Sequence, residues 1–247
     1  MVYKTERGFT IIEVMLFLGI SGALFAALMI GVNASIDQQR YRESVATLST
    51  QLQSEYNDVT NTQNDRGNDW GCDTNGIATQ NADPNSALFR GTSDCVLLGK
   101  IIEITNGDTI NTYSVIGREV QTTDDSSDID ALQAYKPKVT SFNPTSGGLE
   151  WGSTLNTATQ KHDPMTVNII MLRSPVSGLL RVFWSQSDPV ADKGDLSGLI
   201  IPANASNKLT MCVLGDSVVA AKQSVTIDPS IGSPDGVSVN QADSVCN

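Results

Sequence analysis

Residues 9–32 form an almost unbroken apolar run. With the preceding glycine it reads GFTIIEVMLFLGISGALFAALMIGV, in which only Glu13 is ionisable and only Thr10 and Ser21 add polar side chains. As a helix rising 1.5 Å per residue, this run is about 36 Å long, enough to cross a bilayer hydrocarbon core of about 30 Å. Beyond Val32 the composition turns polar while the helical period continues. Ile36, Tyr41, Val45, Leu48, Leu52, Tyr56 and Val59 recur mostly at steps of three and four and draw an apolar stripe. Between them lie Gln38, Gln39, Arg40, Arg42, Glu43, Gln51, Gln53 and Glu55, good helix formers for a solvated face. Asn57, Asp58, Asn61, Asn64 and Gly67 end the pattern. One helix from about Thr10 to about Val59 would be roughly 75 Å long. Its first half would span lipid and its second half lie against a globular head. The alternative for the second half is a short linker helix leading to a separate domain.

The pattern then changes period. Residues 60–247 are rich in Thr, Ser, Asn, Asp and Gly, with short β-branched apolar segments that read as antiparallel strands. Residues 96–105 and 111–120 flank Asn106-Gly107-Asp108, a strong hairpin signal. A second hairpin is expected from 166–172 and 179–185 around Pro175 and Gly178. Further strands are expected at 208–214 and 218–227, and a weaker one at 148–155. Residues 124–130 (DDSSDID) read as a loop and 129–135 as a short helical turn.

A carboxylate inside a membrane span costs at least a few kcal/mol, so Glu13 calls for a partner, a function, or a place at interface depth near the helix start. Lys4 and Arg7 precede the apolar run and favour keeping that end in the cytoplasm with the remainder exported. A secretory signal would place a small-residue cleavage site after the run. Here the apolar run continues into Asn33-Ala34-Ser35-Ile36-Asp37, and the small residue suited to cleavage is Gly8, before it.

Gly8-Phe9-Thr10-Ile11-Ile12-Glu13 resembles the prepilin signature of type IV pilins and type II secretion pseudopilins. The resemblance covers roughly residues 7–34; the rest of the chain is similar in architecture rather than in motif. It implies cleavage by a prepilin peptidase between Gly8 and Phe9, N-methylation of Phe9, and pairing of Glu13 with the Phe9 amine of a neighbouring subunit. A buried ammonium and a buried carboxylate each cost several kcal/mol alone and much less as a pair. Many major pilins carry a proline in this helix, and here the helix has none. Gly19, Gly22 and Gly31 could supply the same flexibility, or simply allow close helix packing.

The implied fold is α+β and pilin-like, a long N-terminal helix packed on an antiparallel β-sheet head. The implied division is a leader at 1–8, a stem helix at 9–59 (transmembrane over 9–32) and an exported head at 60–247. The implied function is that of a structural subunit of a type IV pilus, a surface filament for adhesion, twitching motility or DNA uptake. The alternatives are a minor pilin acting as tip adhesin or initiator, and a pseudopilin of a type II secretion system. The implied partners are copies of itself, other pilins, the prepilin peptidase, an assembly platform protein and its ATPase. Before assembly the chain would be a single-pass cytoplasmic membrane protein, and afterwards part of an extracellular pilus.

Four cysteines suit an oxidising exterior and allow three connectivities. Cys72–Cys95 and Cys212–Cys246 are expected because each closes a local loop, worth roughly 3–4 kcal/mol in the chain-entropy picture. The second resembles the disulfide-bounded C-terminal region of many pilins. The cysteines lack C-x₂-C spacing and the chain has one histidine, so metal ligation by cysteine is not expected.

Asp124, Asp125, Asp128 and Asp130 could offer oxygens to calcium, as could Asp188, Asp192 and Asp195, but neither run has EF-hand spacing. The lone His162, beside Asp163-Pro164, reads as a surface loop residue, and no nucleophile elbow, P-loop or H-E-x-x-H motif is present. No enzyme activity and no cofactor are expected. With a net charge of −11 and with Arg118, Lys136, Lys138, Arg173, Arg181 and Lys222 dispersed, broad nucleic-acid binding by the head is not expected either. Trp70, Trp151 and Trp184 are possible binding platforms, although Phe183-Trp184 in an alternating strand reads as core.

Overall fold

The computed structural model describes residues 8, 10–61, 70–72, 78–80, 95–120, 126–140, 144–157, 163–190, 194–215, 222–241 and 246, with the backbone alone at 70–72 and 78–80. It is a mixed α+β structure with a long N-terminal helix. Thr10, in extended conformation, caps α1, a 50-residue helix over Ile11–Thr60. The helix is continuous from the apolar half into the amphipathic half, as the unbroken period implies. Its buried face runs Tyr41, Ser44, Val45, Leu48, Ser49, Leu52, Glu55, Tyr56 and Val59. Glu55, expected on the solvated face, is thus buried instead, where it pairs with Lys100 of the head. Ile36, expected to begin this stripe, is instead exposed, because burial of α1 starts only at Tyr41.

The strands are β1 (Trp70–Cys72), β2 (Ala78–Gln80), β3 (Cys95–Thr105), β4 (Thr109–Arg118), β5 (Lys138–Val139), β6 (Thr145–Gly148), β7 (Thr154–Thr157), β8 (Val167–Arg173), β9 (Leu180–Ser185), β10 (Leu209–Leu214), β11 (Gln223–Ile227) and β12 (Val237–Asn240). A short helix α2 (Asp128–Ala134) lies between β4 and β5. The larger sheet runs β5–β4–β3–β8–β9, with β6 pairing along the rest of the β4 edge. The second sheet runs β12–β11–β10–β7, and among the described residues β1 and β2 form a separate pair. Every pairing among the described strands is antiparallel.

Both expected hairpins are present. In the first, Asn106 and Gly107 have φ of 53° and 73°, the left-handed values that an Asn-Gly turn accommodates. The Gly107 N–H donates to the Met165 carbonyl at 2.9 Å, and the Gly107 carbonyl accepts from the Leu155 N–H at 2.7 Å. The tip of the large sheet is thereby tied to the second sheet at β7.

Two apolar layers sandwich the large sheet. On one face Ile102, Ile104, Ile169 and Met171 meet the buried stripe of α1, together with Met211, Val213, Val225 and Ile227 of the second sheet. On the other, Ile101, Ile170, Leu172 and Phe183 are covered by Leu132 of α2 and by Val190, Leu196 and Ile200. Central strands buried on both faces carry near-continuous apolar runs, which explains VNIIML in β8.

Several expectations need correction. The single strand expected at 148–155 is two strands in different sheets, β6 and β7, separated by a 3₁₀ turn at Glu150–Gly152. Trp151 and Gly152 have φ of 60° and 66°, which turns the chain from one sheet to the other. Within the expected loop at 124–130, Asp128 and Asp130 belong to the first turn of α2. Ser127 caps that helix, and acidic residues in a first turn complement its dipole. Strand β11 starts at Gln223, while residues 218–221 of the expected strand lie outside the described residues.

Cys212 and Cys246 form a disulfide that ties β10 to the C-terminal segment across a sequence separation of 34. Cys95 is also disulfide-bonded; the side chain of Cys72, its expected partner, lies outside what is described.

Candidate functional site

The helix start is built from Thr10 and Glu13. The Glu13 N–H donates to Thr10 Oγ1 at 3.3 Å, and the Thr10 N–H donates to Glu13 Oε2 at 3.4 Å, a capping box. Both side chains remain exposed. Glu13 therefore has a local task, satisfying a backbone donor at the positive end of the helix dipole. The T-x-x-E spacing is the signal that reveals it. Through a long and solvent-facing bond, this task leaves the carboxylate accessible. Gly8 is exposed and non-helical. Phe9 and residues 1–7 of the expected leader at 1–8 lie outside the described residues.

Downstream of Glu13 the helix is bare. Ile11, Ile12, Met15, Phe17, Leu18, Leu24, Phe25, Leu28 and Ile30 are each more than half exposed. The segment is long and apolar enough to cross a membrane, and none of its most apolar window is buried within the fold. At about 1.5–3 kcal/mol per large apolar side chain, keeping this surface in water would cost tens of kcal/mol. Such a surface is consistent with cover by lipid or by other helices. Around Gly19, Gly22 and Gly31 there is open space.

The helix enters the head at a polar neck. The Tyr41 hydroxyl donates to the Val213 carbonyl at 2.9 Å and accepts from the Gln223 N–H at 2.6 Å. Burial pushes the Tyr41 phenol up, and the bond from Gln223 offsets part of that rise. Gly215 lies against the Tyr41 ring, where an added Cβ would come within 2.8 Å of it. Higher up, Lys100 of β3 bridges Glu55 and Asp58 of α1 at 2.6 and 2.7 Å. Burial works against the Lys100 ammonium, but its bonds to Asp58 and Glu55 outweigh that and hold it above the ordinary lysine value.

Beside Tyr41 is a cleft of about 380 Å³, formed by Asp37 and Arg40 of the helix, the Trp151–Ser153 turn and Gly215. The Arg40 guanidinium sits over the Trp151 ring, 4.9 Å from its centroid. Trp151, with φ 60° and ψ 31°, is 49% exposed. A bulky residue in the left-handed region is a backbone outlier that surrounding structure must sustain.

The other candidates are dispersed. Asp128 receives Ser174 at 2.6 Å and Arg181 at 2.7 Å, and Asp130 receives Ser127 at 2.6 Å. Asp124, Asp125, Asp192 and His162 lie outside the described residues. Asp195 binds the Ser197 N–H, and Asp188 is exposed. Among the described residues no three metal-capable side chains converge. Phe183 is fully buried, whereas Trp184 is half-buried and donates to the Asn207 carbonyl at 2.7 Å. The side chain of Trp70 is not described.

Comparison with family models, curated proteins and solved structures finds no match to this chain.

Proposed function

We propose that the chain is a type IV pilin-like structural subunit, held in the cytoplasmic membrane by α1 before assembly and polymerised into a surface filament. The observation that carries this reading is the accessible Glu13 carboxylate, the single charge at the head of a bare apolar helix that continues without a break into the head. In this proposal a prepilin peptidase cuts after Gly8 and Phe9 becomes the methylated amino terminus. Helices then pack side by side as an assembly platform and its ATPase extract subunits from lipid. The bare helix exchanges lipid for neighbouring helices, so its apolar surface remains out of water throughout. The Phe9 ammonium of one subunit meets the Glu13 carboxylate of the next, because neither charge is tolerated alone in that packed core. The β-rich head forms the filament exterior, with the Cys212–Cys246 bond fastening its C-terminal segment. The role is assembly rather than catalysis.

The test is Glu13→Leu expressed in place of the native chain. The variant inserts in the membrane at the native level but is missing from sheared filaments. Normal incorporation would sink the pairing. Thr10→Ala serves as the control for the capping role, since it weakens the cap while leaving the carboxylate in place.

A further inference from the structure

We propose that the cleft between α1 and the Trp151 turn is a seat for a zwitterionic aminophospholipid headgroup, which sets the depth of the chain in the membrane before assembly. The inference rests on α1 spanning the bilayer and is otherwise independent of what filament the chain builds.

Its first support is position. With Val32 at the edge of the hydrocarbon, Arg40 lies eight residues further along, about 12 Å outward. The headgroup layer occupies about 5–8 Å of that distance. Helical side chains tilt toward the N-terminus, here toward the membrane, which brings the Arg40 guanidinium nearer the headgroup layer than its Cα. The cleft thus opens where the apolar half of α1 gives way to the head.

Its second support is the chemistry of the walls. Asp37 and Arg40 bring opposite charges to one cleft, and among the described residues neither forms an ion pair. Stacking on Trp151 occupies the face of the guanidinium and leaves its in-plane N–H groups free to bind a phosphate in a forked arrangement. Asp37, on the same wall of the cleft, supplies the carboxylate for the ammonium of the same headgroup. An ethanolamine headgroup presents both charges a few ångströms apart, and a cleft of about 380 Å³ accommodates it. An anionic headgroup would satisfy Arg40 and be repelled by Asp37.

The third support is Trp151 itself. A half-exposed tryptophan, with an apolar ring and a polar N–H, suits the interfacial headgroup layer. The left-handed backbone at Trp151 and Gly152 is what turns this ring out beside Arg40.

The experiment uses the full chain in vesicles of phosphatidylcholine mixed with either phosphatidylethanolamine or phosphatidylglycerol. Trp70→Phe and Trp184→Phe leave Trp151 as the reporter. A second reporter, Phe25→Trp in a background with Trp70, Trp151 and Trp184 all changed to Phe, reports the span. Quenching by lipids labelled at the headgroup and at mid-chain gives the depth of each. The expected result is mid-chain quenching of the Phe25→Trp reporter and headgroup quenching of Trp151, stronger with phosphatidylethanolamine than with phosphatidylglycerol. Arg40→Gln abolishes the Trp151 quenching, and Asp37→Asn abolishes the preference between the two lipids. Quenching of the Phe25→Trp reporter without any at Trp151 overturns the headgroup seat alone, as does equal or stronger quenching of Trp151 in phosphatidylglycerol. Absence of quenching at both positions overturns the membrane span and the headgroup seat together. Filament incorporation of Glu13→Leu tests the assembly role separately.

Discussion

The Tyr41 hydroxyl accepts the Gln223 backbone N–H at 2.6 Å, joining the foot of the amphipathic half of α1 to the start of β11. The same oxygen donates to Val213 of β10, so one side chain closes a three-element junction. Tyr41→Phe leaves a buried donor and a buried acceptor without their partner and is expected to cost about 1–3 kcal/mol. Gly215→Ala, whose methyl would meet the Tyr41 ring, loosens the same junction. Urea unfolding of the full chain in detergent micelles, followed by near-UV circular dichroism, measures both. An unchanged midpoint for Tyr41→Phe would contradict the role of the neck.

Lys100 is the corresponding staple at the upper end of the stem. Lys100→Met removes the cation between Glu55, which is almost buried, and Asp58, which is partly exposed. The two carboxylates are then left facing one another, and a loss of about 1–3 kcal/mol is expected, less than for a fully buried pair because solvent screens Asp58. Adding Glu55→Gln to Lys100→Met recovers part of that loss by removing one of the stranded charges. A double-mutant cycle on the unfolding midpoint reads the coupling.

The pH dependence follows from groups whose native values depart from the ordinary ones. Asp128 is opposed by burial, yet bonds from Ser174, Ser177 and Arg181 outweigh that and hold it below the usual carboxylate range. Asp195 is lowered chiefly by the Ser197 N–H, and Asp228 by Ser230 and Lys208. Lowered carboxylates stabilise the fold above their unfolded value of about 3.9, and that contribution is lost as pH falls through their native values. Lys100 and the phenols of Tyr41, Tyr56 and Tyr135 are raised, the phenols mainly by burial. Their contribution is complete below about pH 10 and is lost as pH rises beyond it. The melting temperature is therefore expected to be flat from about pH 5 to 9 and to fall on both sides. A step centred near neutral pH would contradict this set of groups.

The stem was legible because its period never breaks. Its apolar run and the following stripe specify one helix, but Ile36, placed in the stripe, is exposed, and Glu55, placed on the solvated face, is buried beside Lys100. Pattern alone says neither where the head begins nor which charge it covers. The two hairpins were legible from Asn106-Gly107 and from Pro175 with Gly178. The segment around Trp151 was not. No propensity places a tryptophan in the left-handed region, and the strand divides there between partners distant in sequence, β4 for β6 and β10 for β7. The edge strands β5 and β12 were also illegible, being two and four residues long with little apolar signal. At the candidate site, sequence pointed to Glu13 but missed its capping bond to Thr10. Arg40 and Trp151 are more than a hundred residues apart, so their stacking belongs to tertiary structure and no local pattern encodes it.

The central claim concerns what happens between Gly8 and Phe9, and mass spectrometry of the chain recovered from sheared surface filaments tests it most directly. The account predicts a mature chain that begins at Phe9, carries a methyl group on that amine and retains the whole of α1. A chain that still begins at Met1, or one cut after the apolar run with Glu13 removed, would contradict it.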